Sequence, residues 1–253
     1  MLDVRDVQMR FGGLRALTDV TLRVEEGSVT GIIGANGAGK TTLFNVICGL
    51  QKPSAGVVTL EGRDVTHLPA HRRARLGLRR SFQNLGANMN RSVLEHLLAA
   101  QHLSLPYRAT DLVLRPRRAA AAERDARHRV ESFAHSFGLE RQLDVKLHDL
   151  SFAAARLAEL AGLFAQKPRL VLLDEPTTGL DPHEIDVLAG AVRDLRAAGT
   201  TVLLVAHDVQ FVRDVCDSVH AMGEGRVIAS GTPAHVTSHP QVIDSYLGAG
   251  AGR

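Results

Sequence analysis

The 253-residue chain has no tryptophan, two tyrosines and two cysteines. Cys48 and Cys216 lie far apart in apolar segments, so we expect reduced core residues rather than a disulfide or a metal pair. No run reaches about 18 consecutive apolar residues, and residues 1–6 lack the apolar segment of a signal peptide. Neither sign of charge dominates, because 30 basic and 27 acidic residues give +3. We therefore expect a globular cytoplasmic protein without a transmembrane helix or a nucleic-acid partner.

A glycine-rich segment follows residues 28–33, which are predicted to form a short buried strand. The residues Gly34-Ala-Asn-Gly-Ala-Gly-Lys-Thr41 fit the phosphate-loop pattern G-x-x-x-x-G-K-[ST] at every fixed position. Glycines let the backbone turn tightly, so that successive N–H groups point at a polyphosphate. Lys40 is suited to the β- and γ-phosphates, and the Thr41 hydroxyl to Mg²⁺. A plain connection is the alternative, but the strand before and the helix after favour a nucleoside triphosphate site.

Two later strands are predicted to bring polar side chains to this site. A buried strand within residues 168–176 ends in Asp174, which can hold Mg²⁺, often through water. Glu175 comes next, where a carboxylate can take a proton from attacking water. Solvent-exposed acids at a strand end are the alternative, and the apolar run before them argues against it. His207 follows the next strand, residues 200–205; such a histidine is more often a surface residue, but its strand should end beside the same site.

Two features of the first 80 residues have two interpretations each. Phe11 lies in a predicted turn, and stacking on a base would contribute about 1–3 kcal/mol. The alternative is a ring packed into the sheet. Residues 63–80 contain six arginines and two histidines, which indicates either a patch for an acidic partner or the solvated face of a short helix. Because no aromatics are interleaved, we favour the helix face.

Strand signals stop between about residues 92 and 165. Ser92 is a predicted N-cap, and residues 117–137 have apolar positions spaced by three and four, as in an amphipathic helix. This block predicts a helical subdomain inserted in an α/β protein.

These motifs, in this order, resemble the ATP-binding subunits of ABC transporters over almost the whole chain. The resemblance implies an α/β P-loop NTPase (RecA-like) core with an N-terminal antiparallel β subdomain and an inserted α-helical subdomain. In a single ATP-binding domain, residues 1–253, the core would comprise 1–83 and 166–253. The helical subdomain, 84–165, would carry the signature segment.

The resemblance also implies a role for each matching residue. Lys40, Glu175 and His207 (the switch histidine) would be catalytic. Mg²⁺ would be bound by Thr41, Gln83 (the Q-loop glutamine) and Asp174 of the Walker B strand. The residues expected to contact ATP are Phe11, Gly34, Asn36, Gly37, Gly39, Lys40, Thr41, Thr42, Gln83, Ser151 (in trans) and Asp181 of the D-loop.

Within the family the chain is similar to the LivG-type subunit of branched-chain amino-acid importers, although relatives of that subunit import amides or urea. The segments that carry this likeness are 9–16, 80–83, 92–102, the long Arg/Ala-rich helix and 231–248. The resemblance implies a second ATP-binding subunit, in a heterodimer or homodimer, and transmembrane permease subunits. It further implies an external substrate-binding protein acting indirectly, and a place at the cytoplasmic face of the membrane.

The signature segment departs from the family. Where relatives carry Leu-Ser-Gly/Tyr-Gly-Gln, this chain has Leu150-Ser-Phe-Ala-Ala154. In the family the segment clamps the γ-phosphate held by the other subunit, and the Cβ of Ala153 would crowd that phosphate. Loss of one preorganised donor lowers rates on the order of 10²–10³-fold. We therefore expect poor hydrolysis by a homodimer and one good site in a heterodimer with an unbroken signature, unless the alanines are tolerated or were introduced deliberately.

Two other functions remain open at this stage. One is a regulatory subunit that binds ATP without useful hydrolysis. The altered signature favours this function, whereas the presence of Glu175 argues against it. The other is a soluble ABC-type ATPase of DNA repair or translation. A single cassette without a long coiled-coil insertion, and with unremarkable charge, argues against that class.

Overall fold

The computed structural model describes residues 1–81, 89–101 and 116–248. The chain divides into two compact units. The first takes in Met1–Arg80, Arg169–Thr178 and the residues from Val192 onward. The second takes in the described residues of Ser81–Pro168, together with Gly179–Ala191.

The described strands belong to two sheets. In chain order they are β1 (Leu2–Phe11), β2 (Leu14–Val24), β3 (Val29–Ile33), β4 (Ala55–Leu60), β5 (Arg63–Asp64), β6 (Leu78–Arg80), β7 (Leu170–Asp174), β8 (Thr201–Val205), β9 (Ser218–Gly223) and β10 (Arg226–Gly231). Within the described residues, four strands form an antiparallel sheet in the order β2-β1-β4-β5. Six form a mixed sheet in the order β10-β9-β3-β8-β7-β6, in which β9 and β10 are antiparallel and the other pairs are parallel.

The described helices, in chain order, are α1 (Lys40–Cys48), α2 (Ala70–Arg75), α3 (Val93–Gln101), α4 (Pro116–Ser136), α5 (Phe152–Ala165), α6 (Pro182–Ala197), α7 (Val209–Val215), α8 (Pro233–Thr237) and α9 (Pro240–Gly248). Within the described ranges, no helix combines the length and the apolar character needed to cross a membrane.

The buried parallel strands of the first unit determine where the predicted site residues that follow them lie. Every residue of β3, β7 and β8 is buried, as expected for parallel strands covered on both faces, which read as continuous apolar runs. Val205 of β8 pairs with Ile32 of β3 on one side and with Asp174 of β7 on the other. The carboxyl ends of these three strands therefore lie at one edge of the sheet, and the residues that follow them are brought together there.

The second unit contains the predicted helical block. Helices α3, α4 and α5 pack on one another, and the rings of Phe137 and Phe164 stack with centroids 5.9 Å apart. Ser92 and Glu95 form a capping box at the start of α3, because each side chain accepts the other's backbone N–H. In the described part of residues 92–165, the one strand-like feature is an isolated bridge between Ser92 and Lys146. The predicted α/β fold with an antiparallel N-terminal sheet is confirmed.

One residue of the run 63–80 departs from the expected solvated helix face, on which His71, Arg72 and Arg75 are exposed. Arg73 does not lie on a solvated helix face, because it is fully buried. Its guanidinium donates to the carbonyl oxygens of Val46, Ile47, Thr66 and Leu68. Two of these carbonyls, those of Val46 and Ile47, belong to the last turn of α1, where main-chain acceptors lack the usual helical donors; that of Val46 also accepts the N–H of Gly49 at 3.1 Å. The charge pattern of α2 cannot reveal this, because the acceptors come from other elements.

Candidate active site

A cleft of about 500 Å³ lies in the first unit, beside the loop that joins β3 to α1. Its volume is in the range typical of small-molecule sites, roughly 300–1,000 Å³. The predicted site residues that line it are Phe11, Asn36, Gly37, Gly39, Lys40, Thr41, Thr42 and Glu175.

The rest of the cleft wall was not predicted from the sequence. Leu14, Arg15 and Ala16 of β2 line it, as do Glu224 and Gly225 of the turn between β9 and β10. This turn is attached to the phosphate loop, since the N–H of Gly225 donates to the carbonyl of Ala38 at 3.1 Å. Nothing in the local sequence of that turn indicates the contact, because it depends on the pairing of β9 with β3.

The glycines of the loop are required by close backbone contacts. A Cβ on Gly34 would lie 2.3 Å from the carbonyl oxygen of Met222, and one on Gly39 would lie 2.8 Å from that of Ala16. Helix α1 begins directly after Gly39, and within the described residues no side chain caps it. The N–H groups of its first turn, together with the positive end of the helix, therefore suit an anion.

Lys40 lies over this loop and is only 7 % exposed. Its Nζ donates to the carbonyl oxygens of Gly34 at 2.6 Å and Ala35 at 2.9 Å. Burial lowers the pKa of the Lys40 ammonium, while the nearby carboxylates of Glu175 and Asp174 act to raise it. The loop thus holds a cation whose present partners are weak neutral acceptors, and phosphate oxygens would be stronger ones.

Asp174, the last residue of β7, and Glu175, which follows it, differ in exposure and in hydrogen-bond partners. Asp174 is 2 % exposed, and its Oδ2 accepts a hydrogen bond from Nη2 of Arg80 at 2.7 Å. Glu175 lines the cleft and adopts a left-handed backbone conformation, with φ of 47°. Such a conformation costs about 1–3 kcal/mol outside glycine and is found at functional sites. Its N–H donates to the carbonyl of Val205, which fixes Glu175 against the end of β8.

The oxygen donors of Thr41 in the cleft wall and of Asp174 behind it suit a magnesium ion bound with a nucleotide. The Thr41 hydroxyl and the Asp174 carboxylate are hard oxygen donors of the kind that Mg²⁺ prefers. Within the described residues, no group of three or more histidine, cysteine, aspartate or glutamate side chains could hold a metal. A Mg²⁺ ion here would therefore depend on oxygens of a bound phosphate, as is usual for this ion.

Five predicted site residues that the structure describes are not part of the cleft wall: Gly34, Ser151, Asp174, Asp181 and His207. His207 follows β8 by two residues and is exposed. Ser151 and Asp181 belong to the second unit. The Ser151 hydroxyl caps α5 by accepting the N–H of Ala154 at 3.1 Å, and the Asp181 side chain accepts the N–H of Glu184 at the start of α6. Gln83 lies outside the described residues, so its predicted role stays a prediction.

The sequence matches known families in two places. Residues 17–178 match the family described as "ABC transporter", and residues 226–252 match the one described as "Branched-chain amino acid ATP-binding cassette transporter".

Curated relatives cover nearly the entire chain. It is 37% identical over 252 residues to the high-affinity branched-chain amino acid transport ATP-binding protein BraF of Pseudomonas aeruginosa, with 98% of each chain covered. It is 34% identical over 249 residues to the corresponding protein LivG of Escherichia coli, again with 98% of each covered. The lipopolysaccharide export system ATP-binding protein LptB of Acidithiobacillus ferridurans is 35% identical over 251 residues, with 98% of each covered.

Solved structures share the fold. A nucleotide-free ATP-binding cassette from an ABC transporter superposes with a TM-score of 0.81 and 28% identity, covering 97% of this chain and 98% of that one. The ADP conformation of an ATP-binding cassette of an ABC transporter gives a TM-score of 0.80 and 28% identity, with 98% of each covered. The predicted P-loop NTPase fold is therefore confirmed.

Proposed function

This chain belongs to the ABC transporter family, and we propose that it is the ATP-hydrolysing subunit of an importer for branched-chain or related amino acids. Proteins of this family couple ATP hydrolysis to transport. The observation that carries the proposal is the cleft in which the phosphate loop, the base-stacking candidate Phe11 and the acid Glu175 share one wall. We take residues 1–253 as a single ATP-binding domain.

Binding of ATP is expected to begin at the loop. Nζ of Lys40 would exchange the carbonyls of Gly34 and Ala35 for phosphate oxygens, and Thr42 would hydrogen-bond the same phosphates. Thr41 and Asp174 would hold Mg²⁺, with Gln83 as a further ligand. When bound, the ion offsets the negative charge on the phosphate oxygens.

Hydrolysis is assigned to the acid beside the loop. Glu175 would accept a proton from a water molecule as that water attacks the γ-phosphorus and the bond to ADP breaks. His207 would orient the water. Its exposed position beyond β8 is compatible with a residue that reaches the phosphate only when the site closes.

The test compares the wild type with Glu175→Gln, a variant of nearly the same shape. We expect the variant to bind a fluorescent ATP analogue as tightly as the wild type and to lose steady-state hydrolysis by at least about 100-fold. Equal rates of hydrolysis would contradict the mechanism and leave only an ATP-binding regulatory module.

Import, rather than export, is supported by the match of residues 226–252 to a branched-chain amino acid family. The likeness to LptB favours an exporter as the second candidate. Co-expression with a permease pair and an external binding protein separates the two. We expect the chain to co-purify with the permeases at the cytoplasmic face of the membrane, and ATP-dependent uptake of labelled leucine into vesicles. Co-purification without uptake of any amino acid would contradict an importer.

We also propose that the working assembly pairs this chain with a second ATP-binding subunit whose signature is unbroken. Ala153 and Ala154 lie in the first turn of α5, are 8 % exposed each, and follow the N-cap Ser151. This chain would therefore offer its partner a poor clamp, while its own Lys40 and Glu175 are in place. Turnover by the chain alone should be slow and should rise when an intact partner is added; brisk turnover alone would contradict the pairing.

A further inference from the structure

Arg80 connects helix α1 to the end of β7. It is the last residue of β6, and its side chain is 11 % exposed. Nη2 donates to Oδ2 of Asp174 at 2.7 Å, and Nη1 donates to Oδ1 of Asn45 at 2.6 Å. The guanidinium also lies over the ring of Phe44, with Cζ 5.7 Å from the ring centroid.

These contacts join two elements, α1 and β7, that are both expected to hold the same nucleotide with its magnesium ion. Asn45 and Phe44 belong to α1, the helix that also begins with Lys40 and Thr41. Asp174 ends β7. Because the guanidinium is planar and its two ends bind different elements, it ties Oδ2 of the Asp174 carboxylate to α1.

In this position Arg80 leaves one of its own buried donors without a hydrogen bond to the part of the chain that the structure describes. Its Nε–H is buried and meets no acceptor among residues 1–81, 89–101 and 116–248. Buried donors are nearly always paired, so an unpaired one points to a constraint other than stability. An arginine present only to neutralise Asp174 would have no reason to be held by Asn45 and Phe44 as well.

We propose that Arg80 is a positioning residue for the magnesium site, which holds Asp174 in the orientation that the ion needs relative to Thr41. The inference rests on the proposed function, since it assumes that Mg²⁺ binds with a nucleotide in this cleft. Residues that orient a metal ligand typically change metal affinity by 10- to 100-fold when they are replaced.

The test measures nucleotide binding as a function of Mg²⁺ with a fluorescent ADP analogue on the full chain. The variants are Arg80→Gln, Arg80→Lys and, as a matched control, Arg79→Gln. Arg79 is the preceding residue of β6, and its guanidinium donates to the carbonyls of Ala74 and Leu78 instead. All proteins are first titrated in EDTA, and then against increasing Mg²⁺.

In EDTA we expect every variant to bind the analogue within about twofold of the wild type. The Mg²⁺ concentration at half-effect should rise at least tenfold in Arg80→Gln, less in Arg80→Lys, and not at all in Arg79→Gln. An unchanged or lower Mg²⁺ requirement in Arg80→Gln would overturn the proposal. An equal loss of nucleotide binding in EDTA and in Mg²⁺ would also overturn it, because Arg80 would then stabilise the fold in general and not the magnesium site.

Asn45→Ala provides a second route if Arg80→Gln does not fold. It removes one acceptor of the guanidinium but leaves the pair with Asp174, so the Mg²⁺ requirement should rise by a smaller factor; no rise would contradict the proposal. Failure of the proposed function looks different, because the wild type itself would then bind no nucleotide with or without Mg²⁺. That result would overturn both.

Discussion

Arg73 shows how a single buried cation can complete a helix. Its guanidinium is fully buried and donates to four main-chain carbonyls, two of them from the last turn of α1. Arg73→Ala would remove a buried donor from all four carbonyls, of which that of Val46 would keep the N–H of Gly49. We expect a loss of about 2–4 kcal/mol in stability, which for a chain of this size lowers the melting temperature by roughly 5 to 15 °C.

The control for this prediction is Arg72→Ala, the preceding residue of α2, which is exposed. It should change stability by no more than about 0.5 kcal/mol. Similar melting temperatures for the two variants, measured by circular dichroism, would contradict the role assigned to Arg73.

Phe11 is the aromatic predicted to hold the base. It ends β1, lines the cleft, and is 44 % exposed. Phe11→Ala should weaken binding of a fluorescent ATP analogue by about 1–3 kcal/mol, or roughly 5- to 150-fold. Phe11→Tyr keeps the stacking face and should bind nearly as the wild type does. Unchanged binding by Phe11→Ala would mean that the base lies elsewhere.

The two thiols should be unreactive in the folded protein. Burial raises the pKa of Cys48 to about 11 and that of Cys216 to about 12. The thiolate is the reactive form and is lost as the pH falls below the pKa, so at pH 8 about one Cys48 in a thousand is ionised. Ellman's reagent should therefore label neither thiol at pH 8 until denaturant is added, and both afterwards. Rapid labelling of native protein would contradict this.

At the scale of elements, the first turn of α5 holds two residues that favour the helix and depart from the family's signature sequence. Ala153 and Ala154 are good helix formers, and both are buried. Restoring the family sequence with Ala153→Gly and Ala154→Gln should destabilise the helix by about 1 kcal/mol. It should nevertheless raise hydrolysis by the chain alone on the order of 10²-fold, because the donor to the γ-phosphate is restored.

The measurement is steady-state phosphate release at a protein concentration that allows two copies to meet. The control is Ala158→Gly, a substitution at a buried position of the same helix beyond the signature. It should lower stability without raising turnover. No gain in rate from the double substitution would mean that the two alanines are tolerated as they stand.

The elements were predictable where the hydrophobic pattern is strong. Strands β7 and β8 each contain four consecutive apolar residues because both of their faces are buried, and the phosphate loop is recognisable because Gly34 and Gly39 are sterically required. The site acids were predictable as residues that end such a strand.

What could not be predicted depends on contacts distant in sequence. Arg80 and Asp174 are 94 residues apart, and Glu224 enters the cleft wall only because β9 pairs with β3. The burial of Arg73 likewise depends on carbonyls from α1. In each case the local charge pattern is typical of an ordinary surface segment, and only tertiary contacts place the residue in the core or beside the cleft.

At the scale of the whole molecule, the cleft is assembled from four separate parts of the first unit. These are the end of β1 with the start of β2, the phosphate loop with α1, the end of β7, and the β9–β10 turn. The second unit carries Ser151, which is predicted to act on a nucleotide held by another subunit, and Asp181, which is predicted to contact ATP. The chain is thus expected to bind ATP alone and to hydrolyse it efficiently only in an assembly.

The most direct test of this account is calorimetric titration of ATP with Mg²⁺ into the wild type and into Lys40→Ala, with the exposed Lys52→Ala as control. The wild type and Lys52→Ala should each bind one ATP per chain with equal affinity. Lys40→Ala should bind about 10- to 150-fold more weakly, because a charged hydrogen bond to phosphate contributes about 1.5–3 kcal/mol. Equal affinity of Lys40→Ala and the wild type would contradict a triphosphate in this loop.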